Sequence, residues 1–268
     1  MNINNQLFCF FDSSDNNVYA KYYGIEKQNV NIKFYNEKSL IYDELITTND
    51  CAQLLFTIKE KIDIKNIKIL YNDSFESELL KYLSFKRGGS NLGLIKVCEI
   101  ANKTKIMVEI GSYQGESTAI FSTYLPNAKI YAVDPWQNHY DAKDGSSEDY
   151  DMKDVEYNFD IITKNRNIIK KKMTSEEFSF MIDDESVDLV YIDGNHQYDF
   201  VKNDILKWIP KIKQNGYISG HDYHMFEDVR NAVDEILGVP DIIVEDNWLK
   251  RKTYSEEMKS FLNNKMVL

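Results

Sequence analysis

Four apolar runs in the second half of the chain each end in a polar turn. They are VEIGSYQGEST (residues 108–118), YAVDPW (131–136), VDLVYIDGNHQY (187–198) and GYISGHDY (216–223). A short apolar run that stops at Gly, Asp or His reads as a buried strand that delivers a functional turn. Between the runs the spacing becomes helical. Residues 116–125 place Ile120, Phe121, Tyr124 and Leu125 on one face. Residues 200–213 carry Val201, Ile205, Trp208, Ile209 and Ile212 as a stripe, with Pro210 placed to tighten the last turn. Residues 227–237 turn Val229, Ala232, Val233 and Ile236 inward. A further helix is predicted over 92–101 and strands over 105–110, 129–133, 168–173, 187–192 and 217–219, with 242–244 and 248–252 closing the sheet. Strands alternating with helices specify an α/β domain with a doubly wound, Rossmann-like parallel sheet.

The first 86 residues follow a different pattern. Residues 8–11, 18–23, 30–34 and 67–71 read as strands, and 50–62 and 75–83 as helices, which makes a small α+β region. Arg87-Gly88-Gly89-Ser90 is the most linker-like stretch, so the expected domains are 1–86 and 87–268. The first region holds no chemical motif, and oligomer contact or substrate cover is its expected role. Residues 138–156 are polar and acidic and follow a strand end, as a mobile lid would.

Composition narrows the function. The net charge of -11 over 268 residues argues against an extended nucleic-acid surface. Cys9, Cys51 and Cys98 are sparse and well separated, with no metal or disulfide spacing. No basic leader and no run long enough for a bilayer are seen, so the expected location is the cytoplasm, without nucleic-acid or membrane partners.

The turns carry the chemistry. Gly111 lets the chain turn sharply at a strand end, and Gly115 opens the next helix, with Ser117 and Thr118 near its free N–H groups. The dinucleotide fingerprint needs a middle glycine where this chain has Tyr113, so a ligand without a pyrophosphate fits better. Asp134 ends the next strand, where a carboxylate can accept from both hydroxyls of a ribose, although a turn before Pro135 uses Asp as well. Trp136 offers a flat face for a base.

Together, E-I-G-x-x-x-G-x-S, V-D-P and the I-D-G strand end resemble the class I S-adenosylmethionine (SAM) methyltransferases over residues 92–252. The resemblance implies that Glu109, Gly111, Ser112, Gly115 and Ser117 surround the methionine half of SAM and that Asp134 holds the ribose. It makes Met173 and Ser175 candidates for adenine contact, although Met173 suits a core equally.

Past the next two strands lie Asp193, His196, His221 and Asp222, two carboxylates and two imidazoles expected on one side of the crevice. Such a group serves metal binding or proton transfer. The D-x-x-H of Asp193 and His196 resembles enzymes that methylate macrolide sugars and the wider metal-assisted O-methyltransferases. That resemblance implies Asp193 and His196 as catalytic residues, His196 being the base, and Asp193, His221 and Asp222 as metal ligands. His221 stands where that pattern has an acid, which leaves Mg²⁺, a transition metal such as Mn²⁺ or Fe²⁺, or no ion at all open. The stretch also looks like bacterial methyltransferases of surface polysaccharide synthesis. The expected acceptor is a sugar or nucleotide-linked sugar. A phenolic or phosphorylated acceptor, a nicotinamide enzyme and a non-catalytic SAM-binding module are the alternatives, and a homodimer is compatible.

Overall fold

The computed structural model describes residues 6–12, 17–23, 29–36, 39–47, 53–58, 67–71, 75–76, 78–81, 92–143 and 145–253. Before residue 92 the described residues form strands only: β1 (Gln6–Asp12), β2 (Asn17–Tyr23), β3 (Asn29–Asn36), β4 (Ser39–Thr47), β5 (Gln53–Ile58), β6 (Ile67–Tyr71), β7 (Phe75–Glu76) and β8 (Glu78–Lys81). They make two four-stranded sheets, ordered β5-β2-β1-β8 and β4-β3-β6-β7. The helices expected over 50–62 and 75–83 are corrected where described. Residues 53–58 pair with β2 and residues 78–81 with β1, so edge pairing prevails over local helical spacing. The expected linker at 87–90 lies outside the described residues.

From Leu92 the elements alternate: α1 (Leu92–Ile100), β9 (Ile106–Ile110), α2 (Glu116–Tyr124), β10 (Lys129–Asp134), α3 (Ser146–Asp149), α4 (Met152–Ile162), β11 (Ile168–Lys172), α5 (Ser175–Ser179), β12 (Val187–Ile192), α6 (Tyr198–Trp208), β13 (Ile212–Gly220), α7 (Glu227–Leu237), β14 (Ile242–Val244) and β15 (Asn247–Arg251). The sheet runs β11-β10-β9-β12-β13-β15-β14. β9 through β13 are parallel, and β15 pairs antiparallel with both β13 and β14. A tight turn at Ile209–Lys211, holding Pro210, ends α6 and feeds β13.

Side chains of β9 alternate between the two faces, as a period of two demands. Met107 joins Leu189, Tyr191 and Leu249 under α1 and α2, where Phe121 meets Tyr191 edge-on at 4.8 Å. Val108 and Ile110 join Val190, Ile192 and Ile218 under α6 and α7. Both faces of the central strands are therefore buried, which explains their nearly continuous apolar sequence.

The order of strands reverses between β9 and β12, and their ends are joined by backbone. Asp193 N–H donates to the Ile110 carbonyl at 2.8 Å, and His221 N–H to the Ile192 carbonyl at 3.1 Å. Gly111, at φ 80°, fills the seam: a Cβ there would lie 2.0 Å from the Asp193 carbonyl oxygen. Neither backbone can retreat without breaking the ladder. We predict that Gly111→Ala lowers unfolding stability by about 3 kcal/mol or more, from left-handed strain plus a backbone clash, in a urea titration. A change below about 0.5 kcal/mol contradicts this packing.

Candidate active site

The loop between β9 and α2 is organised from beneath by Glu109, the one charge on β9. It is fully buried and accepts hydrogen bonds from Ser112 Oγ at 3.1 Å and from Thr118 Oγ1. Burial raises its pKa to about 7, against the lowering effect of hydroxyls from Ser117, Thr118 and Ser112. Its Oε1 is buried with no hydrogen-bond partner among the described residues, an arrangement that a neutral carboxyl bears at less cost than a charged one. Glu109 was expected beside the methionine half of SAM. It instead lies below the cleft lining and holds the loop, while Gly111, Ser112 and Ser117 reach the surface of the cleft. Gly115 is absent from that lining too, and its φ of 90° turns the chain into α2 against Phe159.

Asp134 ends β10 at the lip of the same cleft. Tyr113 N–H donates to its Oδ2 at 2.9 Å and Trp136 N–H to its Oδ1 at 2.7 Å. Burial raises its pKa, opposed by these backbone donors. Ser112 adds a third backbone donor, and four lone pairs on the two oxygens leave capacity for a ligand hydroxyl. Trp136 does not offer its ring to a base. The indole is 5% exposed, donates to the Tyr113 carbonyl at 2.8 Å and packs on Phe159, with Lys170 Nζ 4.9 Å from its centroid. Met173 packs on the core under α6 and is likewise off the cleft. Ser175 does line it.

The cleft encloses about 690 Å³, within the range of small-molecule and cofactor sites. One wall is the segment after β10. It was expected as a lid over 138–156, and most of it is built rather than open: α3 and the start of α4, capped by Asp151, lie within it. Asn195 Nδ2 donates to the Tyr140 carbonyl at 2.7 Å and pins it down.

Asp193, His196, His221 and Asp222 all line the cleft on its far side, from the ends of β12 and β13. Ligand atoms of Asp193, His196 and Asp222 lie within 4.8 Å of one another. The imidazole in that group is His196, not His221. His221 Nδ1 stands 3.0 Å from Asp222 Oδ1 and 3.8 Å from Asp193 Oδ1, so it flanks the cluster. Asp222 adopts φ 61°, a left-handed conformation that Asp tolerates better than most residues.

His196 is gripped from both ends. Its Nδ1 is 2.6 Å from Asp141 Oδ2 and its Nε2 is 2.7 Å from Asp222 Oδ2, and its ring stacks on Phe226 at 4.4 Å. Burial alone would lower the imidazole pKa. The bonds to Asp141 and Asp222 and the charges of Asp222 and Asp193 raise it to about 10 instead. Asp141 and Asp222 are lowered in return, since the imidazole outweighs their burial. The two carboxylates thus favour a protonated His196, with both ring nitrogens engaged. The expected role of free general base does not fit this arrangement, in which His196 holds two carboxylates in place.

Residues 108–223 match the family described as methyltransferase domain. The strand order reverses between β9 and β12, the switch point at which an open α/β sheet forms a ligand crevice. Over those residues the chain is similar to methyltransferase domains. Among curated proteins the chain is 30% identical over 131 residues to the uncharacterized protein y4gI of Sinorhizobium fredii, and 27% identical over 135 residues to the uncharacterized protein R132 of Acanthamoeba polyphaga mimivirus. Those alignments cover 47% and 48% of this chain, and only 14% and 58% of the relatives. Among solved structures, a Staphylococcus aureus protein described as a caffeoyl-CoA O-methyltransferase superposes with a TM-score of 0.46 at 14% identity, over 62% of this chain and 85% of that one. The O-methyltransferase NovP gives 0.44 at 17% identity, over 61% and 79%.

The cleft is also lined by residues that the sequence pattern did not single out. Asp141 is one acid in an acidic loop, and nothing local marks it. Asp204 left a readable trace: it interrupts the apolar stripe of α6 between Val201 and Trp208, and it is buried in the cleft. Among the described residues no helix is long and apolar enough to cross a membrane.

A pH prediction follows from Glu109. Its folded pKa of about 7 lies above the ordinary 4.5, so the folded state binds the extra proton in that window. The contribution is complete below about pH 4.5 and is lost as pH rises through 7, on the order of 3 kcal/mol. Glu109→Gln should therefore gain on the wild type in unfolding free energy between pH 4.5 and 8. A pH-independent difference contradicts the assignment.

Proposed function

We propose that the domain transfers the methyl group of SAM to a hydroxyl oxygen of a sugar or nucleotide-linked sugar, with a divalent cation in the acid–imidazole cluster. The observation that carries this reading is the convergence of Asp193, His196 and Asp222 within 4.8 Å at the cleft. With Asp141 the cluster holds three carboxyl groups against one imidazolium, so it carries surplus negative charge in a partly buried place. A divalent cation offsets that surplus. Asp193 and Asp222 would hold it, joined by His196 Nε2 once its proton is displaced and its bond to Asp222 released, and a donor set containing an imidazole suits Mn²⁺ or Fe²⁺ better than Mg²⁺. When bound, such an ion polarises the acceptor hydroxyl and lowers its pKa.

The chain's own groups do the rest. Asp134 accepts from the ribose hydroxyls and fixes the nucleoside. The wall formed by Tyr140, Asp141 and Tyr150 keeps water from the reacting atoms. As the methyl carbon leaves sulfur and bonds to oxygen, the hydroxyl proton passes to the negatively charged cluster. His196, bonded through Nδ1 to Asp141, keeps its ring aimed at the cluster. A polyol is favoured over a phenol because Asp193, His221, Glu245 and Asp246 line the acceptor side, where an aromatic ring would need an apolar slot. Surface polysaccharide or natural-product synthesis in the cytoplasm is the setting that suits such an acceptor, with residues 1–86 as cover or dimer contact.

The test is formation of S-adenosylhomocysteine (SAH) from SAM with a panel of sugars, nucleotide sugars and phenols, before and after EDTA, with Mn²⁺ restored. We expect turnover on a polyol, a loss of tenfold or more on chelation, and recovery with Mn²⁺. Asp193→Asn should lower turnover by about a hundredfold with SAH affinity unchanged. Turnover on phenols alone would refute the acceptor class, and indifference to EDTA would refute the cation.

A further inference from the structure

Asn247 opens β15 at the acceptor side of the cleft and is only 5% exposed. Its amide is oriented from within the sheet. The hydroxyl of Tyr191, itself fully buried on β12, donates to Asn247 Oδ1 at 2.6 Å. The amide nitrogen then stands against the start of α1, where a Cβ on Gly93 would lie 2.1 Å from Nδ2. Leu94, the next residue of α1, lines the cleft as well. Among the described residues no acceptor for that nitrogen is found. A buried amide N–H without an acceptor is costly, and an oxygen of a ligand in the cleft would relieve it. The turn before Asn247 is fixed too: Tyr223 N–H donates to the Asp246 carbonyl at 3.1 Å, which ties Glu245 and Asp246 to the chain just after Asp222.

The charge around this amide has one sign. Among the described residues that line the cleft there is no Lys or Arg. The acceptor side presents Asp141, Asp193, Asp222, Glu245 and Asp246. Lys143, on the wall, pairs with Asp228 and is not part of the lining. A divalent cation offsets two of these charges and an imidazolium a third, which leaves the two acids of the turn uncompensated. Glu245 Oε2 accepts from Gly93 N–H at 3.1 Å. Among the described residues no hydrogen bond to the Asp246 carboxyl is found. A cleft lined by one sign of charge concentrates ligands of the opposite sign and repels those of its own. The pyrophosphate of a nucleotide-linked sugar would meet these acids with no basic side chain to receive it.

We propose that the acceptor is a free amino sugar, whose protonated amine is held by Asp246 with Glu245 beside it, while a sugar oxygen accepts from Asn247 Nδ2. This narrows the sugar O-methylation reading given above and rests on it. A protonated amine has no lone pair, so nitrogen cannot take the methyl group. The methyl carbon leaves sulfur for the oxygen of a hydroxyl on the same sugar, and that hydroxyl's proton passes to the acid–imidazole cluster. Acetylating the amine removes the charge that the turn attracts and leaves an unpaired carboxylate beside the sugar.

Steady-state kinetics of SAH formation test it, with the free-amine, N-acetyl and nucleoside-diphosphate-linked forms of a set of hexosamines and Mn²⁺ present. The wild type should favour the free amine over its N-acetyl form by about tenfold or more in kcat/KM, with the nucleotide-linked form slowest. Asp246→Asn should shrink the amine-to-acetamide ratio by about fivefold or more. Asn247→Ala should raise KM by about tenfold for both forms while SAH binds as in the wild type. A wild type that favours the N-acetyl or nucleotide-linked form overturns the proposal, a result that needs no variant. So does an Asp246→Asn protein that binds SAH normally and keeps the full preference for the amine. SAH binding without turnover on any sugar defeats the sugar reading itself, and is distinct from turnover without preference for the amine.

Discussion

Everything in this domain is referred to one backbone seam. Because the strand order reverses at β9 and β12, the loops after those strands diverge and leave a crevice between them. The reversal works only if the two strand ends stay in contact, and Gly111 allows that contact by having no Cβ to meet the Asp193 carbonyl. From this seam the loop of Ser112 turns toward β10 and Asp134, and the chain through Asp193 and His196 turns toward β13 and Asp222. The proposed cofactor end and the proposed chemical end are thereby tied together through main chain.

The electrostatics divide along the same line. On the proposed cofactor side, Glu109, Asp134 and Asp204 are buried acids whose pKa values are raised, Glu109 and Asp204 to about 7. A neutral or nearly neutral acid organises hydroxyls and polar ligand edges without the cost of a buried charge. On the other side, Asp141 and Asp222 are lowered and His196 is raised, so that region stays charged. Environments that push like groups apart in pKa mark a division of labour between binding and reaction. The charged side is where a cation, an acceptor hydroxyl and a departing proton can be handled.

Much of this was legible in the chain. The alternation of short apolar runs with helical stripes located the strands and all the longer helices from Leu92 onward except α4. The turns located Gly111, Asp134, Asp193 and Asp222. What escaped depends on distant pairing. Residues 53–58 and 78–81 look helical alone and become strands because β2 and β1 offer them edges. Trp136 looked like a base platform, but its indole N–H is claimed by the Tyr113 carbonyl and its face by Phe159. His196 looked like a base until Asp141, 55 residues earlier, took its second nitrogen. No local pattern encodes such a contact. Asp204 was the exception, since a charge within a helix's buried stripe is visible without a structure.

The most direct test of the central claim is a crystal structure of the full chain grown with SAH and Mn²⁺, with anomalous data collected at the manganese edge. The account predicts the ribose hydroxyls on Asp134 and one anomalous peak among Asp193, His196 and Asp222, with His196 reoriented from Asp222 as the ion enters. Nucleoside bound away from Asp134, or an anomalous map empty at that cluster while the nucleoside is in place, would contradict it.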